Sequence, residues 1–329
     1  MTSIRILGEN EVRSLIDTDS ALEIARRTLR DQAAGRSMLS TPSSMRMDVR
    51  AFGGGDFKFK AASVGYLGAS GIRLISRLSP VDPNACNYCA VYNHDGVALS
   101  GLVAELWISR IRTAAFGVAT LEPLVNPGPL VVALFGTGKI ANEIVPMLSR
   151  ALPVAELRVS SRRAESMKKF VEAHAPRAGF RLSAEPDAKR MVDGADVVIT
   201  LTEASTPFVF PETLKPGAVV LSMGGKNEVD YRVLLESQRL IVDDIEFASE
   251  VGDGGAWIRQ GHLSEEQFAA RVDALACEVA GRTKAGRLSR EDRIIAIAQG
   301  MAVGDVAFAI HALREAERTG KGTVVELPG

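Results

Sequence analysis

The pattern of apolar and polar residues changes near the middle of the chain. From about Thr41 to Val103, short alternating runs are separated by Gly, Pro and Asn, which predicts a largely antiparallel sheet. The strands are expected in SMRMDV, DFKFKAA, GIRLISRL, CAVYN and VALSGLV, with NHDG as a hairpin turn. Further along, LVVALF, ELRVSS, DVVITLT, AVVLSMG and RLIVDD alternate with helical stretches. Runs that are apolar on both faces, such as DVVITL, predict a parallel sheet covered by helices.

Three helical segments frame these two regions. Ser20 and Glu23 match a capping box at the start of the first helix, and Gly35 can end it. A second helix is predicted in AELWISRIRTAAFGVATLEPL, before an Asn-Pro-Gly-Pro cluster that marks a candidate domain boundary. The stretch RIIAIAQGMAVGDVAFAIHALREAERTG is predicted as one long helix that returns to the first domain.

Composition narrows the class of protein. The chain has 329 residues, of which 46% are hydrophobic, enough for one large or two ordinary domains. Its 39 basic and 40 acidic side chains leave a net charge of -1, so no bulk field attracts nucleic acid or an anionic membrane. No run of about 18 apolar residues occurs and the N-terminus carries charges, so we expect a cytoplasmic protein.

The cysteines give little support for a metal or redox site. Cys86, Cys89 and Cys277 are an odd and sparse set, as expected of reduced thiols. Cys86 and Cys89 have the CxxC spacing of a zinc knuckle or a redox pair. The sequence contains no second pair and its four histidines are scattered, so we interpret CNYC as part of a strand and expect no bound metal.

The segment LVVALFGTGKIANEIVPML combines a strand-like run, a glycine turn and a helical pattern. At such a turn, backbone N–H groups and the positive end of the helix dipole favour a phosphate. Gly136 permits the turn, Gly138 permits close approach, and Ala141 keeps the helix near the strand. The strand ELRVSS follows at the expected distance, although an ordinary strand-to-helix corner can carry the same glycines. The predicted phosphate-binding residues are Gly136, Thr137, Gly138, Lys139 and Ile140.

The end of the second strand indicates which dinucleotide binds. NAD sites usually carry Asp or Glu about 20 residues after the turn, where this chain has Ser160, Ser161, Arg162 and Arg163. Hydroxyl and guanidinium groups suit a 2′-phosphate, so we predict NADP(H) over NAD(H). The alternative is that both arginines are solvated charges at the start of a helix. We also assign to the cofactor site residues after two later strands, namely Thr200, Leu201, Thr202, Met223 and Gly224.

Four segments together resemble the ornithine cyclodeaminase/mu-crystallin family: ISRIRTAAFGVATLEPL, GTGKIA, VVLSMGGKNEVD and GMAVGDVAFAIHAL. The resemblance spans nearly the whole chain and implies a homodimer with an α/β fold. A Rossmann-type NAD(P)-binding domain, residues 121–302, would be inserted into an α+β substrate-binding and dimerisation domain, residues 1–120 plus 303–329. Members include ornithine cyclodeaminases, amino-acid dehydrogenases and reductases of cyclic ketimines or imino acids, which share hydride transfer at the carbon bearing the nitrogen.

The resemblance also implies a set of substrate and catalytic residues. Arg112 would bind the substrate carboxylate with help from Arg46 and Arg73, and Thr113 would lie near the cofactor phosphates. Asp305 matches an acidic residue of the family's last long helix, and it joins Arg112 and Arg73 as a catalytic candidate. Converging guanidinium groups suit a carboxylate because each can bind it with two hydrogen bonds. Strand alternation could instead place Arg46 and Arg73 on a solvated face, and Asp305 could be a surface charge or an arginine partner.

Two departures from the family affect the expected chemistry. Most members have a lysine where this chain has Arg73, and a guanidinium stays protonated, so it can hold an anion but hardly shuttle a proton. Cyclodeaminases carry an aspartate in the loop after this strand. The equivalent stretch here, SMGGKNEVD, is shorter and has no aspartate between Gly225 and Lys226, which weakens the cyclodeaminase interpretation. Glu228 and Asp230 follow in that loop, where capping of the next helix is the expected role.

The sequence therefore supports three hypotheses, in order. The first is an NADP(H)-dependent oxidoreductase that mainly reduces an α-imino or ketimine acid, with the proton donor unassigned between water and Asp305. The second is a cyclodeaminase or amino-acid dehydrogenase with tightly held NAD. The third is a non-enzymatic protein that keeps the dinucleotide fold to sense or store a ligand. The extra arginine at position 73 suggests a second carboxylate on the substrate.

Overall fold

The computed structural model describes residues 2–48, 56–77, 87–95 and 98–327. The chain divides into two compact units. Unit 1 comprises Met1–Arg112 and Met301–Gly329, and unit 2 is the intervening segment Thr113–Gly300. These divisions fall at residues 112 and 300, whereas the sequence suggested 120 and 302.

Unit 1 is built on one eight-stranded sheet in the order β16-β1-β7-β6-β5-β4-β2, with β3 paired to β4. Apart from the parallel pair β1–β7, its neighbouring strands are antiparallel. The strands are β1 Thr2–Leu7, β2 Ser37–Leu39, β3 Met45–Asp48, β4 Asp56–Val64, β5 Ala69–Arg77, β6 Tyr88–Asn93, β7 Leu99–Ala104 and β16 Thr323–Leu327. The helices are α1 Glu9–Arg13, α2 Thr18–Ala33 and α12 Ala302–Thr319, and α3 Leu106–Leu121 crosses the division between the units.

Strand alternation gives this sheet one covered and one exposed face. On β5, Gly71, Arg73 and Ile75 are buried, whereas Ile72 and Leu74 are exposed. The covered face packs against α12, which also contacts α2. Gly71 lies so close to α12 that an added Cβ would sit 3.0 Å from Val306. The predicted antiparallel sheet is confirmed, and its inner face will carry the charged residues described below.

Unit 2 is an eight-stranded parallel sheet in the order β10-β9-β8-β11-β12-β15-β13-β14, flanked by helices. The strands are β8 Leu130–Phe135, β9 Val154–Ser160, β10 Arg181–Ala184, β11 Val197–Thr200, β12 Val219–Ser222, β13 Arg239–Val242, β14 Ala274–Leu275 and β15 Ile294–Ile297. The helices are α4 Lys139–Ala151, α5 Ala164–His174, α6 Ala188–Val192, α7 Tyr231–Glu236, α8 Ile245–Glu250, α9 Gly252–Arg259, α10 Glu265–Arg271 and α11 Ala276–Ala280. The central strands β8, β11, β12, β13 and β15 are apolar and mostly buried, which confirms the predicted Rossmann-type parallel sheet inserted within an α+β unit.

The C-terminal helix prediction was wrong in its first third. Ile294–Ile297 forms β15, a fully buried strand between β12 and β13, and α12 begins only at Ala302. A short apolar run cannot be assigned to helix or strand from periodicity alone, and here parallel pairing on both sides decides. Gly300, at a φ of 92°, separates the strand from the helix.

The first helix also begins earlier than the capping-box pattern suggested. α2 starts at Thr18, and the carboxylate of Asp17 accepts a hydrogen bond from the Ser20 backbone N–H at 2.8 Å. Asp17 is therefore the N-cap, and Ser20 with Glu23 lies inside the helix. At the other end α2 stops at Ala33, and Gly35 adopts a φ of 68°, as predicted for a helix end.

Candidate active site

The glycine turn in unit 2 connects β8 to α4. Gly136 has a φ of 114°, and a Cβ there would lie 2.4 Å from the Leu201 carbonyl oxygen. Both constraints select glycine. Gly138 is the N-cap of α4, and nothing lies within 4 Å of the position its Cβ would take. The first N–H groups of α4 thus face an open approach, an arrangement that binds phosphate.

A cavity of about 420 Å³ opens beside this turn. It is bounded by the turn, by the end of β9 and by the segment after β11. Its lining residues are Phe135, Gly136, Thr137, Gly138, Ser160, Ser161, Arg162, Pro186, Ala188, Leu201, Thr202, Glu203, Ala204 and Phe208. The lining combines apolar side chains with hydroxyl groups, one guanidinium and one carboxylate, as is typical of a small-molecule site. The residues present fit a dinucleotide, because the bare glycine turn and the hydroxyl and guanidinium groups lie around one cavity.

Of the four residues from Ser160 to Arg163 at the end of β9, three line the cavity and one does not. Ser160, Ser161 and Arg162 line the cavity, and the Arg162 side chain is exposed. Arg163 is the N-cap residue of α5 and is not among the cavity's lining residues, and its carbonyl accepts a hydrogen bond from the Ser161 hydroxyl at 3.2 Å. A guanidinium group and two hydroxyls therefore meet at the cavity, whereas Arg163 begins a helix.

The other predicted cofactor residues lie in three places. Lys139 and Ile140 are the first two residues of α4, next to the turn. Thr200, Met223 and Gly224 are buried at the ends of β11 and β12 and do not belong to the cavity lining, whereas Leu201 and Thr202 do. Thr113 is half-buried on α3, immediately after Arg112.

Two buried carboxylates in unit 2 lie near the strand ends. Asp253 accepts hydrogen bonds from the Ser222 hydroxyl at 2.6 Å and from the backbone N–H groups of Glu228 and Val229 at 2.6 and 2.9 Å. Glu228 accepts from both the backbone N–H and the hydroxyl of Thr202, at 2.6 and 2.5 Å. Burial raises the pKa of Asp253 to about 6 and that of Glu228 to about 7.

This arrangement corrects the role expected for Glu228. Its side chain is fully buried against Thr202 and does not cap the next helix. Asp230 does cap α7, since its carboxylate accepts from the Arg232 backbone N–H, as predicted. Local sequence patterns could not indicate this contact of Glu228, because its partner Thr202 lies 26 residues earlier, at a neighbouring strand end.

Unit 1 holds a second group of charged residues, on the covered face of its sheet. Lys60 on β4 lies opposite Arg73 on β5, which in turn lies opposite Cys89 on β6. All three side chains are buried. Cross-strand neighbours of this kind have Cβ atoms about 5 Å apart, so the amine and the guanidinium share one small region.

Ion pairs join this row to α3 and α12. The Arg73 guanidinium pairs with Glu105, donates to Asp305 at 3.2 Å and donates to the Ser109 hydroxyl at 2.9 Å. The Arg112 Nε donates to the other Asp305 oxygen at 2.7 Å. Asp305 thus bridges two guanidinium groups, and Arg73 and Arg112 come together as the sequence predicted. We call Lys60, Arg73, Glu105, Arg112 and Asp305 the buried charge cluster.

The buried charge cluster contains more cations than anions. It has three basic side chains, Lys60, Arg73 and Arg112, and two carboxylates, Glu105 and Asp305. Burial lowers the pKa of Lys60 to about 7 and that of Arg73 to about 10. Among the described residues, the buried Nη1 of Arg112 has no hydrogen-bond partner. Buried donors are almost always satisfied, so this nitrogen suits an added anion.

Arg46, the third predicted substrate-binding residue, lies outside the buried charge cluster. Arg46 lies on β3, whose four residues are all exposed, opposite Lys58 of β4. The structure does not bring it into the buried charge cluster. Conversely, sequence reasoning missed Lys60 and Glu105. Alternation in DFKFKAA places Lys60 on the same face as Ala62 and Val64, which was an available signal, but its pairing with Arg73 depends on strand register.

The two cysteines of the CxxC pattern differ in whether the structure describes them. Cys89 is fully buried, and burial raises the pKa of its thiol, so it remains protonated. Cys86 of the CxxC pattern lies outside the described residues.

In the described part of the chain, no helix has the length and apolar character needed to cross a bilayer.

Comparisons with known proteins agree with this geometry. Residues 94–320 match the Ornithine cyclodeaminase/mu-crystallin family. The chain is 27% identical over 316 residues to an alanine dehydrogenase from Archaeoglobus fulgidus, covering 92% of each protein. It is 22% identical over 328 residues to a Delta(1)-pyrroline-2-carboxylate reductase from Bacillus cereus, covering 98% of this chain and 99% of the relative.

Two solved structures share the fold over nearly the whole chain. One is an archaeal alanine dehydrogenase dimer with bound NAD, with a TM-score of 0.89, 23% identity and 99% of each chain covered. The other is the Delta(1)-pyrroline-2-carboxylate reductase of Thermococcus litoralis in complex with NADH and L-proline. It has a TM-score of 0.86 and 19% identity, and covers 97% of this chain and 99% of its own.

Proposed function

Because the chain belongs to the ornithine cyclodeaminase/mu-crystallin family, we propose that it is an NADP(H)-dependent oxidoreductase that reduces an α-imino or cyclic ketimine acid. The observation that carries this proposal is the buried charge cluster, in which the Nη1 of Arg112 has no partner among the described residues. An anionic substrate would give that nitrogen an acceptor. A carboxylate next to the reacting carbon is what an imino acid supplies.

In this proposal the cluster orients the substrate. Arg112 binds the carboxylate through its unpartnered Nη1 while Asp305 holds its Nε at 2.7 Å, so the guanidinium has a fixed position before substrate arrives. Arg73, held by Glu105 and Asp305, contributes the second cation. We retain Arg46 as a candidate at the edge of the site, where a second substrate carboxylate would meet an exposed arginine.

The cofactor half of the proposal rests on unit 2. Gly136 and Gly138 with the start of α4 would hold the pyrophosphate, and Arg162 with Ser160 and Ser161 would hold a 2′-phosphate. No carboxylate lies at the end of β9 to repel that phosphate, because Ser160 to Arg163 occupy it. When bound, the nicotinamide supplies the hydride for the reduction.

The acidic residues after β12 already make hydrogen bonds within the chain, which favours reduction over cyclodeamination. Asp230 caps α7 and Glu228 is held by Thr202, so neither is available to handle a substrate ammonium group. Asp305 already bridges Arg73 and Arg112. The alternative, a cyclodeaminase or amino-acid dehydrogenase using NAD, is distinguished by ammonia release from ornithine, lysine or alanine.

The test is oxidation of NADPH and NADH, in parallel, with Δ1-pyrroline-2-carboxylate, its six-membered homologue and 2-oxo acids supplied with ammonia or amines. We expect turnover of a ketimine acid with NADPH and much slower turnover with NADH. Ammonia release without net cofactor turnover would replace the proposal with the cyclodeaminase alternative. Tight cofactor binding with no turnover on any of these substrates would replace it with a binding function.

We propose further that two copies pair through the exposed face of the unit 1 sheet. Met45, Phe59 and Leu74 form one row across β3, β4 and β5, and Met45 and Leu74 are exposed. Met38, Met47 and Ile72 are also exposed, and Phe57 stacks on Phe59. Contiguous exposed apolar surface of this kind marks an interaction site, and the archaeal structure above is a dimer. Light scattering should give a dimer for the native chain and a monomer for Ile72→Lys with Leu74→Lys.

A further inference from the structure

The loop after β11 forms one wall of the cavity beside the glycine turn, although none of its residues lies in a helix or strand. It runs from Leu201 to Phe208, and five of its residues line the cavity: Leu201, Thr202, Glu203, Ala204 and Phe208. Such a loop has no helix or strand partners for its backbone N–H and C=O groups, so contacts from elsewhere in the chain must fix its shape. The shape of the cavity depends on those contacts.

Two consecutive residues after β12 hold this loop at three points. The Asn227 backbone N–H donates to the Ala204 carbonyl at 3.1 Å. The Glu228 carbonyl accepts from the Phe208 backbone N–H at 2.9 Å. The Glu228 carboxylate accepts from the backbone N–H and the hydroxyl of Thr202, at 2.6 and 2.5 Å, and that hydroxyl accepts from the Ala204 N–H at 3.1 Å. The Glu228 side chain therefore fixes the start of the loop.

Glu228 is itself held in place by residues near the end of β12. Its backbone N–H donates to Asp253 at 2.6 Å, and Asp253 also accepts from the Ser222 hydroxyl at 2.6 Å. The carboxylate of Glu228 occupies the space beside Gly224, where a Cβ would lie 1.6 Å from Oε2. Gly224, which the sequence assigned to the cofactor site, thus makes room for this side chain. One fully buried carboxylate therefore connects the end of β12 to the loop after β11.

We propose that Glu228 is a positioning residue for the dinucleotide, and that it sets the shape of the cavity wall through Thr202. This inference rests on the proposed function and deepens its cofactor half. Glu228 is not among the residues that line the cavity, so it acts through the loop. The glycine turn packs against the same loop, since a Cβ at Gly136 would lie 2.4 Å from the Leu201 carbonyl oxygen. A shift of the loop would therefore disturb the wall and the turn together, and a displacement of about 1 Å is enough to weaken binding.

The experiment measures the Kd of NADPH and of NADH by titration calorimetry, without any substrate. Glu228→Ala should raise both Kd values about 20-fold, because the loop forms the same wall for either dinucleotide. Glu228→Gln keeps an oxygen that can accept from the Thr202 N–H and hydroxyl, so both Kd values should stay within about threefold of the native ones. Native Kd values in Glu228→Ala would overturn the inference, and so would a loss in Glu228→Gln as large as in Glu228→Ala.

A double-mutant cycle tests whether Glu228 acts through Thr202. Thr202→Val removes the hydroxyl and should raise both Kd values about fivefold, whereas Thr202→Ser keeps the hydroxyl and should stay within about twofold of native. Once Glu228 is replaced by Ala, the hydroxyl has lost that partner. The double variant Glu228→Ala with Thr202→Val should therefore bind within about twofold of Glu228→Ala alone. A roughly 100-fold loss in the double variant, the product of the two single effects, would show that the two residues act independently and would contradict the inference.

A general loss of stability is separated from positioning by Ile295→Val. Ile295 is fully buried on β15, outside the cavity lining, and its truncation destabilises the same unit without touching the loop. Both Kd values should stay within about twofold of native in this variant, and a loss as large as in Glu228→Ala would overturn the inference. If the native protein binds neither dinucleotide, the proposed function fails. If it binds them and Glu228→Ala binds them equally well, only the present inference fails.

Discussion

Both units bury charged side chains, but the two units differ in how completely these side chains are hydrogen-bonded. In unit 2, Asp253 receives three hydrogen bonds from one hydroxyl and two backbone N–H groups. In unit 1, the buried charge cluster has three cations, two anions and a guanidinium nitrogen without a partner among the described residues. A network completed by its own chain stabilises the fold, whereas a buried donor that lacks an acceptor can bind a ligand.

The largest effect that would test this contrast is on catalysis by Arg112→Ala. Removing the carboxylate anchor should lower kcat/KM for a ketimine acid by about 1000-fold, since the substrate anion would lose its guanidinium partner. Arg112→Lys keeps the charge without the fork and should lose about 30-fold. Steady-state kinetics with NADPH measures both.

The matched control for Arg112 is Arg110→Ala. Arg110 precedes it by two residues on α3, which places the two side chains on opposite sides of the helix. It should retain near-native kcat/KM. A loss in Arg110→Ala as large as in Arg112→Ala would mean that the helix, and not the guanidinium at position 112, is responsible.

Substitutions of Asp253 are expected to lower the stability of the fold, in contrast to the catalytic loss expected for Arg112→Ala. Asp253→Ala leaves one hydroxyl and two backbone N–H groups without their acceptor, and should lower the unfolding free energy by about 3 kcal/mol. Asp253→Asn keeps an oxygen for the two N–H groups, and the Ser222 hydroxyl can rotate to accept, so its loss should be about 1 kcal/mol. Chemical denaturation measures this difference, and equal losses in the two variants would refute the hydrogen-bond account.

Glu228 gives a pH-dependent test of the same unit. Burial raises its pKa from 4.5 to about 7, so its contribution to stability is complete below pH 4.5 and is lost as pH rises through 7. Between pH 5 and 8 the native protein should lose about 2 kcal/mol relative to Glu228→Gln, which mimics the protonated form. Denaturation midpoints of the two proteins across that range should converge at low pH. Parallel curves would exclude Glu228 as the titrating group.

The smallest effect concerns cofactor choice at the exposed end of β9. Arg162→Ala should raise the Kd of NADPH about 20-fold and leave that of NADH within about twofold, because only NADPH carries the 2′-phosphate. Lys169→Ala, on the exposed side of the following helix, is the control and should change neither Kd. Equal weakening of both cofactors in Arg162→Ala would remove the basis for NADP(H) preference.

The sequence predicted what local pattern determines. The strand at LVVALF, the glycine turn and the alternating strands were confirmed because each depends on residues adjacent in the chain. The parallel strand at Ile294–Ile297 was mistaken for helix because IIAI fits both patterns and only pairing with β12 and β13 distinguishes them. The first-helix cap was misplaced by three residues, since Asp17 competed with Ser20 for the same role.

Prediction of the site was limited by contacts between distant residues. Arg73 and Arg112 could be placed together by family resemblance, and Asp305 does bridge them. Lys60 and Glu105 were missed because their importance arises only from strand register and from the ion pair with Arg73. An alternating Phe-Lys-Phe-Lys run normally predicts a solvated strand face, and nothing in it indicates that α12 covers the lysine side.

The most direct test of the central claim, that the buried charge cluster is a carboxylate site, is a substrate pair. Initial rates of NADPH oxidation are measured with Δ1-pyrroline-2-carboxylate and with Δ1-pyrroline, which has the same ring and imine but no carboxylate. We predict that kcat/KM for the carboxylate exceeds that for the plain imine by about 1000-fold in the native enzyme and by less than tenfold in Arg112→Ala. Equal kcat/KM values for the two substrates in the native enzyme would contradict the account.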